Sequence, residues 1–388
     1  MKWSIFSREF SNTISRSVHI MSIKLPAEIT SEYTISPASV HELAHAAVMI
    51  GRKAGLKSLL IQAPTARMLP NGFEGDLLQL KDRVMLCCPC NPVNAAALRQ
   101  HFPWTKPGSI PPDRSALCGC TAAGQNQIFP VPARLTMQET MSGKSFQDTV
   151  SEALFQIYET NCRSGWGAEA ARLQTMEDID AALDAGMTIF SLDITNTVNT
   201  AACDWDEKAV NTAFETLNSN LRSRIESEYA GQSFINGDCA VEIDRITARR
   251  CTIMYADAID FVEKVRLHLV KRGGEDFSLE IALDQTAAAV LPAQHVFLQR
   301  ELRRKNITFS ALALRFPDGA EELVQQFQIH ARIAQANGNY MLTIPATADF
   351  SAAYSAITGE AVRLKITCPD AESKYAGEIL SRQSANRK

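Results

Sequence analysis

The sequence has no run of about 18 uncharged apolar residues, and segments such as AAAVLPA fall far short of the length a bilayer-spanning helix needs. It also lacks a basic block. Its 39 Lys and Arg against 43 Asp and Glu give a net charge of -4, and the cations are dispersed, as in RSRIES and KRGGED, which leaves nothing to pair with a phosphate backbone. No GxGxxG follows a strand-like run, which weakens a dinucleotide-binding reading. The SGKS at 142–145 resembles the end of a P-loop, but Gln138 stands where the first glycine is required. Nucleic acid and membrane are therefore not expected partners.

Ten cysteines are present, yet neither CCPC (Cys87, Cys88, Cys90) nor CGC (Cys118, Cys120) has the CxxC spacing that lets two thiolates reach one tetrahedral ion. VMLCC reads instead as a buried strand in which Cys packs as a small hydrophobe. Glu9 and the absence of a long apolar run argue against an export signal in the first twenty residues, so reduced thiols and a cytoplasmic setting are expected.

The chain does have a large apolar fraction, 46% of 388 residues, enough for a sizeable core. Three segments are expected: a floppy extension over 1–25, a small α/β unit with a Pro-rich linker over 26–115, and a larger body over 116–388. In the small unit, SPASVHELAHAAVMIGRKAG suggests a helix with Ser36 as cap, Pro37 at its first position and a closing glycine. LKSLLIQAP and DRVMLCC follow as strands, and NPVNAAALRQHF as a second helix. Beyond PWTKPGSIPPDRS the rhythm becomes regular, with strand-like MTIFSLDIT, FSLEIALDQT, TFSALALRF, YMLTIPAT and AVRLKITCP each following an amphipathic helix. These strands are apolar throughout, as in parallel sheets covered on both faces. Seven or eight such units predict an α/β fold of the (β/α)8, TIM-barrel type, complete or short of one unit, with an open doubly wound sheet as the alternative.

In such folds the chemistry sits at the carboxyl ends of the strands. Asp193 in FSLDIT and Asp284 in IALDQT occupy those ends, as do Glu169, Arg315 and Lys365. Converging carboxylates with an Arg and a Lys could bind a sugar acid and move a proton beside a carbonyl. The plainer alternative is that both aspartates cap the turns that follow.

The blocks FPVPA with SGKSFQD, GWGAEAARLQTMEDIDAALDAGMTIFSLDIT, IALDQT, HVFLQRELRRKNITFSALALRF and QIHARIAQANGNYMLTI occur in order over roughly Phe129 to Ala376. In these blocks the sequence resembles the tagaturonate/fructuronate epimerase family, metal-dependent barrel enzymes that invert a hydroxyl-bearing carbon of keto-hexuronates. The resemblance implies Glu169, Asp193, Asp284 and Gln285 as catalytic positions, Gln138, Arg315 and Lys365 as substrate contacts, a small sugar acid as ligand, and a divalent metal as cofactor where the family's site is retained. The departures concern the metal. An acidic pair followed by His becomes Glu169-Ala170-Ala171-Arg172, an Asp and a His become Asn196 and Thr197, a Glu becomes Gln285, a His becomes Pro345 and a Lys becomes Asp349. His295 and His330 match, but both fall on helical patterns that favour packing over ligation. TAAGQNQI is too short for the family's first barrel helix, and the chain ends soon after its last strand.

HELAH at 41–45 has the HExxH pattern, which on a helix would place His41 and His45 one turn apart to share zinc, with Glu42 as base. Both histidines would project away from the stripe Val40, Leu43, Ala47 and Ile50, and no third ligand follows. The expectation is a sugar-acid epimerase-like barrel degenerate at its metal site, an isomerase if active, that binds a sugar acid or performs altered chemistry. An active metal-dependent epimerase, a non-catalytic scaffold and an HExxH protease are the alternatives.

Overall fold

The computed structural model describes residues 27–119, 128–356, 362–368 and Ile379, so the expected extension and the short TAAGQNQ segment lie outside the described residues. The chain divides into two units, Met1–Lys106 with Ser151–Arg163, and Pro107–Val150 with Ser164–Lys388.

The first unit is built on an antiparallel sheet of β1 (Thr34–Ile35), β2 (His41–Leu43), β3 (Ala46–Lys53), β4 (Leu56–Ala63), β5 (Asp76–Gln79) and β6 (Val84–Pro89). Its order is β1-β3-β4-β6-β5, with β2 also on β3. This corrects the expected helix over 36–55. Leu43 pairs with Ala46 across a two-residue turn, Lys53 pairs with Leu56 across another, and Ala44, Ala54 and Gly55 hold φ of 54°, 49° and 82°. Gly55 thus closes a hairpin of the type that needs positive φ at both central residues, not a helix. Ala46 to Ile50 are all buried, and a short apolar run buried on both faces has no periodicity to tell strand from helix. Met49, Leu60 and Met85 from three adjacent strands form the core with Ile29. The expected strands at LKSLLIQA and VMLCC and the helix Pro92–His101, capped by the Asn91 side chain, are present.

The second unit is a parallel barrel. Its strands are β7 (Ser115–Cys118), β8 (Ile128–Val131), β9 (Ala133–Thr136), β10 (Ala168–Leu173), β11 (Ile189–Asp193), β14 (Ser278–Leu283), β15 (Ala311–Leu314), β16 (Met341–Pro345) and β17 (Leu364–Thr367), paired in the order β8-β7-β17-β16-β15-β14-β11-β10-β9. β8 and β9 are separated only by Pro132. β8 pairs with β7 and β9 with β10, so one segment joins both ends of the sheet and closes it into an eight-membered ring. Pro132 has no N–H to donate, and it sits where the ladder changes partner. Helices Met176–Ala185, Arg245–Gly273, Pro292–Arg304, Ala320–Ala336 and Ala348–Ala356 fall between successive strands, the alternation that the sequence pattern predicts, while Phe146–Thr160, which precedes β10 in the chain, belongs for most of its length to the first unit.

Between β11 and β14 an excursion adds helices Glu207–Glu215 and Ser219–Glu228 and a hairpin of β12 (Gln232–Asn236) and β13 (Cys239–Ile243). The hairpin turns on Gly237-Asp238, with Gly237 at φ 64°. Its sequence signal is a Gly-Asp turn between two short runs.

Candidate active site

Side chains alternate along a strand, so residues two and four apart share a face. Glu280 and Ala282 on β14 and Asp284 just beyond its end follow this rule and line a cavity of about 340 Å³ at the carboxyl end of the ring. Ser191, Thr343 with Pro345, Arg134 with Thr136, and Thr367 join them from the neighbouring strands. The volume is at the small end of the range for small-molecule sites.

Beneath the cavity lies a buried polar layer. Lys365, fully buried, contacts Glu169 Oε1, and its Nζ is 2.9 Å from Glu280 Oε2. Arg134 Nε donates to Glu169 Oε2 at 3.1 Å. Ser191 donates to Glu280 Oε1 at 2.5 Å, and the Thr343 hydroxyl donates to Glu280 Oε2. The register explains the grouping, because Glu169 stands opposite Arg134, Ser191 opposite Glu280 and Thr343 opposite Lys365. Burial favours the neutral forms, but the two carboxylates outweigh it and hold the Lys365 pKa above the ordinary lysine value. For Glu169 burial likewise pushes upward, and Lys365 and Arg134 overcome it to leave the carboxyl below its ordinary range. Both are charged at neutral pH, so Lys365 is an ammonium and not a nucleophilic amine.

At the rim, Arg172 donates to both oxygens of Asp284, at 3.3 and 2.7 Å, and its Nη1 is 3.9 Å from Asp193 Oδ2. Asp193 also accepts from Gln174 Nε2 at 3.1 Å and from the Thr195 N–H at 3.0 Å, and Asn196 donates to Gln174 Oε1 at 3.2 Å. The turn-capping reading of Asp193 therefore holds. Arg172 is out of phase with inward-facing Glu169 and Ala171. Its φ of 63° and a register shift between Ala170 and Leu173 in the β10–β11 ladder bring its guanidinium inward. A left-handed backbone costs a non-glycine residue of order 1 kcal/mol, and bulges that re-aim a side chain are common beside active sites.

The other expected positions separate. Glu169 and Lys365 lie in the buried layer. Gln285, exposed, leans on Asp284 at 3.4 Å. Gln138 is an exposed residue of the short helix Met137–Met141, and SGKS is the turn after it. Arg315 is occupied at the surface by Asp318, at 2.8 and 3.1 Å. Neither Gln138 nor Arg315 lines the cavity, and Lys365 is engaged below it. The guanidinium groups that do line it are those of Arg134 and Arg172. Sequence reasoning overlooked Arg134 and Glu280, although a lone charge in the otherwise apolar runs VPARLT and SLEIAL was the available signal.

HELAH is excluded as a zinc helix. His41 is on β2 and His45 in the turn after it. The His41 ring lies 5.1 to 5.9 Å from those of Tyr158, Trp104 and Phe102, and burial lowers its pKa. His295 and His330 are buried between helices as packing residues. Burial raises the Cys88 thiol to about 12 and that of Cys90 to about 11, so both stay protonated.

A divalent ion requires several converging donors. Among the described residues no three His, Cys, Asp or Glu side chains are placed to hold one. Asp193 and Asp284, which share Arg172, have each of their four carboxylate oxygens already facing a donor. Two carboxylates that share a guanidinium are by themselves too few donors for a divalent ion.

A closed parallel barrel with a charged, hydroxyl-rich cavity at the carboxyl ends of its strands places the chain among the (β/α)8-type enzyme folds. The chain belongs to the tagaturonate epimerase family, whose model matches residues 36–366. A tagaturonate/fructuronate epimerase of Thermotoga maritima is 27% identical over 290 residues, 69% of this chain and 60% of that protein. This chain therefore matches less than two thirds of that relative's length. Two crystal structures of fructuronate-tagaturonate epimerase UxaE from Cohnella laeviribosi, one native and one with a single glycerol, each superpose with a TM-score of 0.76. Both are 23% identical, over 93% of this chain and 75% of theirs, a likeness of fold.

Proposed function

We propose that the barrel mouth binds a keto-hexuronate such as tagaturonate or fructuronate, without the metal-dependent site of its family. The observation that carries this reading is the cavity wall itself. Two guanidinium groups, Arg134 and Arg172, offer the fork geometry that suits a carboxylate. Asp284, Thr136, Ser191 and Thr367 surround them with partners for hydroxyls. A polyhydroxylated anion matches that mixture better than an apolar ligand does. Asp284, with about a third of its side chain exposed, is the carboxylate best placed to exchange a proton with such a ligand.

Titration calorimetry with both hexuronates tests the reading. Saturable binding is expected, weakened at least tenfold in Arg172→Ala. An absence of heat and of thermal stabilisation at millimolar ligand would sink it. Family membership favours a second reading, full turnover of tagaturonate to fructuronate. Its necessary signs are product formation by the purified chain and loss of that activity in Asp193→Ala.

A further inference from the structure

Arg172 does at the mouth what a bound cation would do. Asp193 and Asp284 approach each other closely enough for one guanidinium to reach both, at 3.9 and 2.7 Å, and two neighbouring carboxylates, Asp193 buried and Asp284 on the cavity wall, need a counter-charge. Each carboxylate oxygen has a donor. Asp284 faces both Arg172 nitrogens, and Asp193 faces the Gln174 amide and the Thr195 N–H. The backbone is committed to the arrangement, since the left-handed conformation and register shift are what turn the side chain inward. A quarter of the Arg172 side chain remains exposed, and it lines the cavity. Unlike lysine, arginine stays charged at any pH the protein experiences and presents several N–H groups in one plane.

We propose that the Arg172 guanidinium is a built-in cation standing where a divalent ion would otherwise sit between Asp193 and Asp284, and that its exposed edge holds an oxyanion or carbonyl oxygen of the ligand. The ligand half of this inference rests on the hexuronate reading; the cation half does not. Replacing Arg172 by histidine removes the competing positive charge and supplies an imidazole beside two carboxylates, a donor set that divalent transition ions accept.

The test is calorimetric titration and elemental analysis of the full chain with Mn, Ni and Zn, in wild type, Asp284→Asn and Arg172→His, with melting curves to confirm folding. Wild type is expected to retain no stoichiometric ion and Arg172→His to bind about one per chain. Hexuronate affinity of wild type should be unchanged by a chelator. A wild-type ion that Asp284→Asn releases would overturn the proposal, as would an Arg172→His protein that folds yet stays as metal-free as wild type. If the histidine variant does not fold, the wild-type and Asp284→Asn titrations decide. The metal arms contain no sugar, so failure of hexuronate binding strikes the proposed function and leaves the built-in cation standing.

Discussion

Lys365 carries its charge at the centre of the barrel between Glu169 and Glu280, and its loss should be felt as stability before it is felt as function. Removing one member of a buried ionic group leaves the others uncompensated, at about 3–5 kcal/mol. Lys365→Met is expected to lower the urea midpoint accordingly, and adding Glu169→Gln should recover part of the loss. His330 makes a second prediction. Its Nε2–H donates to the Val290 carbonyl at 3.0 Å, so its Nδ1 must accept from His295 Nδ1–H at 2.8 Å, leaving His295 Nε2 to accept from the Tyr340 hydroxyl at 2.6 Å. In this one-way chain both rings are neutral, and an added proton would face another. Burial brings His330 down to about 4 and lowers His295 further below its ordinary value. The unfolded chain therefore binds more protons than the folded one between pH 6.5 and 4. Stability is fully present above the unfolded pKa and falls as acid is added through that window, by about 3 kcal/mol for His330. Denaturant titrations from pH 7 to 4.5 should show the decline, and His330→Gln should flatten it. Asp284, on the cavity wall, and Asp193, beside it, were legible as candidates because each stands at the end of an apolar strand. Arg172 was not, because strict alternation points it outward and only the left-handed backbone turns it in.

At the scale of elements, the parallel strands of the barrel were readable from their unbroken apolar runs and from the helix after each. The HELAH segment shows where that reading fails, since Val40, Leu43, Ala47 and Ile50 satisfy a helical period while the segment pairs as β2 and β3. The short turn at Ala44, with its positive φ, carried no glycine to announce it. Ala44→Gly separates the two accounts. In a helix the change costs up to about 1 kcal/mol, whereas at a left-handed turn it is neutral or stabilising by up to about 1 kcal/mol. A thermal melt at or above that of wild type is expected.

For the whole molecule, the sequence pattern announced seven or eight repeating units but not how the ring closes. Closure depends on Ile128–Thr136 serving two neighbours, β7 through its first half and β10 through its second. Nothing local in FPVPARLT states that division beyond a proline at the switch. The same ring assembles Arg134, Arg172, Glu280 and Asp284 from three strands into one cavity, a convergence that spacing along the chain does not reveal. Among the described residues no helix is long and apolar enough to cross a membrane. The measurement that bears most directly on the account is calorimetric titration of chelator-treated protein with tagaturonate, wild type beside Arg172→Ala. Saturable binding by the metal-free wild type, lost or weakened at least tenfold in the variant, is the predicted result. Binding that appears only when a divalent ion is restored would contradict it.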